Sequence, residues 1–366
     1  IDGRLQWIMD AYTASDRYPY SQPLNRSSGI DSLLNTAALR NLTRQGNNYL
    51  RDAAKVTIDA YDGTLNFYVL DETDPILSTY RKIFPDLFQT ASEVPEPVRA
   101  HFRYPHDLFT LQAQIYRTYH MGNAEVFYNR EDLWQFPTQK YEQDEVRMDP
   151  YYTIMRLPEA TSEEFIKILP FTPNNRDNMV SWMAGRSDAD NYGKLLLYEF
   201  PKQQLVYGPS QIEARIDQTP EISELITLLG QRGSRVIRGD LLVLPIEESL
   251  LYVEPVYLQA EQGELPELKR VIVAYGNEVV MGETLEESLT AIFGDRTTPA
   301  AAPAMPSSEV DVSEPVALPG DLASQVQAAL DAYEAGRQAL QQGDWEAYGQ
   351  AQKTLEEILN QLNQDL

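Results

Sequence analysis

Three histidines, His101, His106 and His120, are the only imidazoles in the chain. Acid–base and metal chemistry look to them first, because imidazole changes charge near neutrality without help from its surroundings. Their spacing offers little: His101 and His106 share no helical face, and no His-Glu-x-x-His phrase sets two ring nitrogens one turn apart. They read as surface or structural residues. The sharpest metal-like phrase is Asp188-Ala189-Asp190-Asn191-Tyr192-Gly193 with Glu199 beyond it. It fits a calcium loop at its first, third, sixth and twelfth positions, but Tyr192 stands where another oxygen ligand is wanted. The strand-like run Leu195 to Phe200 also replaces the second helix that such a loop needs, so a solvated acidic turn is the better reading. No metal and no cofactor is expected.

No Gly-x-Ser-x-Gly elbow, Gly-x-x-x-x-Gly-Lys-Ser/Thr loop or Gly-x-Gly-x-x-Gly turn is present. Paired carboxylates such as Glu163-Glu164, Glu247-Glu248 and Glu286-Glu287 arise by chance among 55 acidic residues. Neighbours on one helix or strand do not converge on a substrate, so these read as solvated faces and no catalytic residue is assigned. Tyrosine is the unusual abundance, at 22 residues. It gathers in Arg17-Tyr18-Pro19-Tyr20, Arg103-Tyr104-Pro105 and Pro150-Tyr151-Tyr152. Arginine beside an aromatic ring can stack on a sugar or dock a protein. Arg17, Tyr18, Tyr20, Arg103 and Tyr104 are therefore the candidate surface for a partner or ligand. The simpler reading packs the rings between elements, with their hydroxyls on backbone groups.

Composition bounds the partners. The chain has 366 residues, 43% of them hydrophobic, enough for one large core or two ordinary ones. Thirty basic against 55 acidic residues give a formal charge of −25, which repels a phosphate backbone at every contact, so nucleic acid is not expected as a partner. With no cysteine there is no disulfide, thiolate nucleophile or thiolate-bound metal. No window approaches the apolar length of a membrane-spanning helix. The chain opens at Ile1-Asp2-Gly3 without a Met, in a strand-like phrase, which predicts a longer polypeptide upstream.

The elements that must position these residues are mostly strands. Leu5 to Ala11 reads as a strand followed by a loop over Tyr12 to Ser21, held open by Pro19. A helix is expected over Ser32 to Arg40. Lys55–Tyr61 and Thr64–Leu70 flank Asp62-Gly63, the signature of a two-residue type I′ hairpin. Helical spacing follows Asp74-Pro75 and recurs over Asp107 to Tyr119. Strands return over Tyr152–Arg156, Phe165–Leu169 and Lys194–Phe200, punctuated by Pro158, Pro170, Pro173 and Pro201. Thr219-Pro220 opens another helix. A meander follows over Leu241–Leu244, Leu250–Leu258, Val271–Tyr275 and Val279–Met281, and a capped helix from Thr284 ends at Gly294. Residues 295–320 hold five prolines and five alanines and read as an extended tether. Residues 321–366 read as a helical hairpin broken at Gly343-Asp344, its apolar seam set among eight carboxylates against Arg337 and Lys353.

Several phrases together resemble an uncharacterised family of large multi-pass bacterial membrane proteins found in cyanobacteria and actinobacteria. They are Ser15-Asp16-Arg17-Tyr18-Pro19-Tyr20-Ser21, Asp59-Ala60-Tyr61-Asp62-Gly63-Thr64 within Val56 to Tyr68, Phe102-Arg103-Tyr104-Pro105, Asp190-Asn191-Tyr192-Gly193-Lys194-Leu195 and Leu250 to Tyr257. The resemblance runs in order through residues 1–294, and Gly343-Asp344-Trp345 resembles the family's C-terminal end. It implies that membrane helices precede Ile1 and that this chain is the extramembrane domain, on the outer side of the bacterial cell membrane. It carries over no catalytic residue.

The sequence thus predicts an α+β fold. Its parts are a mostly antiparallel core with packed helices at 1–294, a linker at 295–320 and a helical hairpin at 321–366. A division near Asp149-Pro150 is the alternative for the core. The expected function is a non-enzymatic extramembrane module that binds a partner protein or an envelope ligand, and the hairpin seam is a second place for a protein partner or another copy. The alternative is a cell-envelope hydrolase using carboxylates.

Overall fold

The computed structural model describes residues 1–294 apart from 27, 28, 142, 143, 158, 159, 189, 190, 202, 204, 231–233, 247, 248 and 261–264, and beyond them only 335, 350, 353 and 354. Contacts group the chain into Ile1–Pro299 and Ala300–Leu366. Those four residues apart, the expected tether and hairpin lie outside the described residues. The first unit is an α+β protein in which helices pack on antiparallel sheets.

Its N-terminal part threads β1 (Gln6–Ser15), α1 (Ala37–Arg44), β2 (Tyr49–Asp59), β3 (Leu65–Val69), α2 (Pro75–Ile83) and β4 (Phe88–Gln89) into a sheet of order β1-β2-β3-β4. β1 runs four residues further than Ala11, into the segment expected to be loop, because Tyr12 to Ser15 pair with Tyr49 to Asp52. The helix expected over Ser32 to Arg40 is interrupted. A single 3-10 turn at Ile30–Leu33 ends, and α1 restarts behind Thr36, whose side chain caps Leu39. The break is held by Asp107, whose two oxygens accept the Asn35 and Thr36 N–H groups at 2.8 Å each. α2 matches its sequence signals, with Asp74 accepting the Leu77 N–H at 2.6 Å and Pro75 in the first turn.

The β2–β3 hairpin is present, but its turn is not the expected two-residue type. Its ladder ends at Ile58–Leu65, and among the central pair only Gly63 has a positive φ, of 74°. The Asp59 carboxylate accepts the Tyr61 and Asp62 N–H groups and is forked by Arg4 at 2.7 and 2.9 Å. That side chain stabilises a longer loop that a type I′ turn would forfeit.

Next come α3 (Glu96–Arg99), α4 (His106–Tyr119) and α5 (Ala124–Asn129). The middle sheet follows, from β5 (Trp134–Gln135), β8 (Tyr151–Arg156), β9 (Glu163–Pro173), β10 (Ser181–Arg186) and β11 (Leu195–Glu199), and the small ribbon β6 (Thr138–Tyr141) and β7 (Asp144–Arg147) lies between β5 and β8 in sequence. β9 runs straight through Pro170. On one flank β8 pairs only as far as Ile168 and β5 begins at Thr172, so Pro170 sits in the gap where no ladder donor is needed. α6 (Pro209–Gln218) and α7 (Pro220–Leu229) lead to the last sheet. It contains β12 (Ser234–Arg238), β13 (Leu242–Ile246), β14 (Ser249–Ala260), β15 (Glu267–Tyr275) and β16 (Glu278–Gly282), with α8 (Leu285–Phe293) against it. The meander read from the sequence is antiparallel throughout.

Alternation along β9 divides the interior. Ile166 and Ile168 join Trp182, Ala184, Ile212, Ile216 and the Tyr252, Val256 and Ile272 side of the last sheet in one core. Leu169, Phe171 and Met183 face the other way, onto Tyr104, Phe109 and Ala113 at α4. A second face of α4, through Leu111 and Ile115, meets Leu24, Leu34, Leu39 and Leu50 of the N-terminal part. The core of the middle sheet continues into the last sheet across position 149, with Met148 among its members. α4 is thus the strut between the N-terminal part and the middle sheet, and Gly185 lets it sit close. A Cβ there would lie 2.8 Å from the Tyr104 ring.

Candidate functional site

The face that α4 turns to the N-terminal part also borders a hollow. Leu108, Leu111, Gln112, Ile115 and Tyr119 of α4, with Leu50 of β2, floor a cleft of about 480 Å³, and the loop Tyr18–Gln22 forms its far wall. A second hollow of about 600 Å³ shares Gln22, Ile115 and Tyr119 with the first and continues past Arg26, Arg117, Phe127, Tyr128 and Arg130. The two make one groove. Its walls carry tyrosines, amides and, at one end, three arginines, and no carboxylate among the described residues. On a chain with a formal charge of −25 that is a marked local reversal.

Local chemistry builds the loop wall. Asn48 holds it at both ends, its Oδ1 accepting the Tyr18 N–H at 3.0 Å and its Nδ2 donating to the Tyr18 and Ser21 carbonyls at 2.8 and 3.1 Å. The Ser21 hydroxyl returns a bond to the Asn48 carbonyl at 3.0 Å. Tyr18 stacks on Tyr49, centroids 5.6 Å apart. Between these ties Tyr20 is forced to φ 60° and stands fully exposed. A left-handed tyrosine costs on the order of 1 kcal/mol and persists only where its surroundings impose it. At the other end, Tyr119 meets Phe127 edge-on at 5.3 Å. Arg117 is anchored, its Nε donating to the Trp134 carbonyl and its Nη1 to Gln114. Arg26 and Arg130 are exposed, and neither is paired with a carboxylate among the described residues.

The structure separates the five residues singled out from the sequence. Tyr18 and Tyr20 line the groove. Arg17 projects into solvent beside Asp16, off its walls. Arg103 lies over the Tyr152 and Phe165 rings, 5.8 and 5.6 Å from their centroids. Tyr104 is buried rather than displayed, because the space above Gly185 admits its ring, and its hydroxyl donates to Gln112 of the groove floor at 2.8 Å. Many other tyrosines follow the simpler reading. Tyr151 bridges the Val243 carbonyl and N–H, and the Tyr152 and Tyr252 hydroxyls donate to backbone carbonyls.

The histidines form no cluster. His101 bonds the Pro97 carbonyl, His106 opens α4, and His120 stacks on Trp134 at 3.7 Å. Of the calcium-like phrase, Asp188 accepts the Phe165 N–H and the Tyr192 hydroxyl donates to Asp52, while Asp190 lies outside the described residues. Among the described residues no three His, Cys, Asp or Glu side chains are grouped to hold a metal.

Two interior charge groups escaped the sequence reading. Arg238 of β12 is gripped by Glu254 of β14 and by Glu213 and Asp217 of α6, and Lys140 of β6 also bonds Asp217. Burial, and then the neighbouring Glu254, push the Glu213 carboxyl up to about 8, so it holds a proton at neutral pH. Beside it Thr138, Glu145 and Ser210 rim a hollow of about 200 Å³. The second is Lys167 of β9, fully buried on the α4 side. Its Nζ lies 3.6 Å from the Tyr152 centroid with no hydrogen-bond partner among the described residues. Burial lowers the amine to about 8. Neither was legible in advance: α6 gave no recognised signal, and Lys167 sits mid-strand among apolar residues, where only alternation hints at its direction.

These observations define an α+β protein built around a strut helix, with a tyrosine- and arginine-lined groove along that helix. Residues 1–229 match the uncharacterised protein family UPF0182, and the chain belongs to it. It is similar to a UPF0182 protein of Trichodesmium erythraeum, 57% identical over 362 residues that cover 99% of this chain and 38% of the relative. A UPF0182 protein of Bradyrhizobium diazoefficiens is 50% identical over 363 residues, covering 99% of this chain and 36% of its own length. One of Desulforamulus reducens is 47% identical over 366 residues, covering 98% and 37%. The chain therefore spans little more than a third of the length of the curated relatives it matches. No solved structure matches. No helix among the described residues is long and apolar enough to cross a membrane.

Proposed function

We propose that this chain is the extramembrane binding part of a longer membrane protein, standing on the outer side of the bacterial cell membrane, and that the groove along α4 receives an extended ligand. The membrane half of this reading is supported by the resemblance of its phrases to multi-pass proteins, and by relatives far longer than the chain. One observation carries the binding half: a groove walled by tyrosines and by Arg26 and Arg130, which meet no carboxylate among the described residues, crosses a body that is otherwise strongly acidic. The apolar seam expected at 321–366 offers a further contact with a protein partner or another copy.

The test is cross-linking in cells. A photoreactive phenylalanine analogue is placed at Tyr119 or Tyr128 in the full-length protein, with Leu228 and Ile246 as exposed controls on other elements. Adducts at the groove positions and none at the controls are expected. Adducts at the controls alone move the binding surface elsewhere.

A second reading, an envelope hydrolase, has one specific observation in its favour, the protonated Glu213 beside Glu254 and a small hollow. Both carboxyls, however, commit oxygens to the buried Arg238. That arrangement serves to latch α6 onto the last sheet, and it leaves only Asp217 toward solvent.

A further inference from the structure

We infer that the ligand of this groove is an acidic polysaccharide, a run of sugar rings that themselves carry carboxylates. The inference rests on the groove being the binding site and adds the class of molecule. Three features point the same way. The first is length. The α4 residues on the walls run from Leu108 to Tyr119, which a helical rise converts to about 16 Å, room for several linked rings rather than one.

The second is charge. Arg26 and Arg130 are exposed at one end, and neither meets a carboxylate among the described residues. The acidic neighbours of Arg130 in sequence, Glu125, Glu131 and Asp132, are not on the walls. A guanidinium fork matches a carboxylate in two bonds, and at this groove an anion finds attraction on a body that repels it elsewhere.

The third is the kind of polar group offered. Tyr20, Tyr119 and Tyr128 are exposed and present ring faces with hydroxyl tips, and Gln22 adds a side-chain amide, the mixture that stacks on and bonds to hydroxyl-rich rings. A peptide strand would want free backbone donors and acceptors instead. The floor is a helix whose N–H groups are spent internally, and the carbonyls of Tyr18 and Ser21 are already taken by Asn48. The chemistry thus favours a saccharide over an acidic peptide.

Calorimetry on the whole chain tests this with three probes: tetragalacturonate, the neutral maltotetraose and hexaglutamate. Tetragalacturonate is expected to bind, at least about tenfold more tightly than maltotetraose. Its affinity should fall at least about tenfold in an Arg26→Gln/Arg130→Gln double variant, and again when salt rises from about 50 to about 300 mM. Both arginines are exposed, so the variant keeps its fold, which circular dichroism confirms. Equal binding of maltotetraose, or indifference to the double variant, overturns the inference. Binding of hexaglutamate alone overturns the saccharide and leaves the groove standing. If none of the three binds, the saccharide class falls, and cross-linking at Tyr119 decides separately whether the groove falls with it.

Discussion

Replacing Glu213 with Gln should stabilise the protein at neutral and alkaline pH, although it removes one side of a buried ion pair. Arg238 faces three carboxylates, Glu213, Glu254 and Asp217, with Lys140 on the outer side of Asp217. Burial first, and then the neighbouring Glu254, disfavour the charged form of Glu213, whose carboxyl keeps its proton to about 8 instead of 4.5. The folded state then binds a proton that the unfolded state releases above 4.5. The associated stability is complete below that pH, declines as pH rises, and is gone above about 8. A displacement of that size corresponds to roughly 5 kcal/mol. Gln keeps the shape and the neutral charge at every pH, so the variant should match the native protein near pH 5. Its advantage should grow to at least about 2 kcal/mol by pH 8.5, a displacement of the urea midpoint of about 0.5–1 M. The assay is urea unfolding of both proteins across that range. Parallel pH profiles with the variant lower throughout would show Glu213 ionised and paired, and would refute the reasoning.

Lys167→Met should raise stability by about 1–2 kcal/mol at pH 7, because a buried ammonium without a hydrogen-bond partner gives way to an apolar chain of similar length. The folded amine titrates near 8 and the unfolded one at 10.5. The native protein therefore gains stability as pH rises through that window, and the difference between the two proteins should shrink there in thermal or urea melts; a gap that stays constant with pH would argue against a buried charge. Asp107→Ala removes the acceptor of two N–H groups at the break before α1 and should cost about 2–3 kcal/mol, with faster amide exchange at Asn35 and Thr36 as its signature. Tyr20→Gly releases the residue held at φ 60°; unchanged or slightly higher stability with weaker binding of tetragalacturonate is expected, read by melting and calorimetry.

Much of the fold is legible in the residues because its signals are local. Asp74-Pro75 starts a helix by a cap that three residues define, and the Leu250 to Tyr257 run is a strand buried on both faces by its own composition. Where distant side chains decide, the reading slips. Asp107 interrupts a helix some seventy residues earlier, Arg4 and Asp59 reshape the Asp62-Gly63 turn, and Pro170 is tolerated in β9 only because two neighbouring strands stop short of it. The site divides in the same way. Tyr18 and Tyr20 were visible as an aromatic loop, whereas Tyr119, Tyr128 and Arg130 carry no phrase of their own and join them only when α4 and α5 bring them to one groove. Arg238, Glu213 and Glu254 come from β12, α6 and β14, and no spacing in the sequence relates them.

The groove itself is most directly tested by methyl NMR of isoleucine-labelled protein titrated with tetragalacturonate. Ile115 lines both hollows, whereas Ile83 and Ile246 are exposed on α2 and β13. A saturable shift at Ile115 with Ile83 and Ile246 unmoved is the predicted result. A saturable shift at Ile83 or Ile246 with Ile115 still would place the binding surface elsewhere and contradict the account.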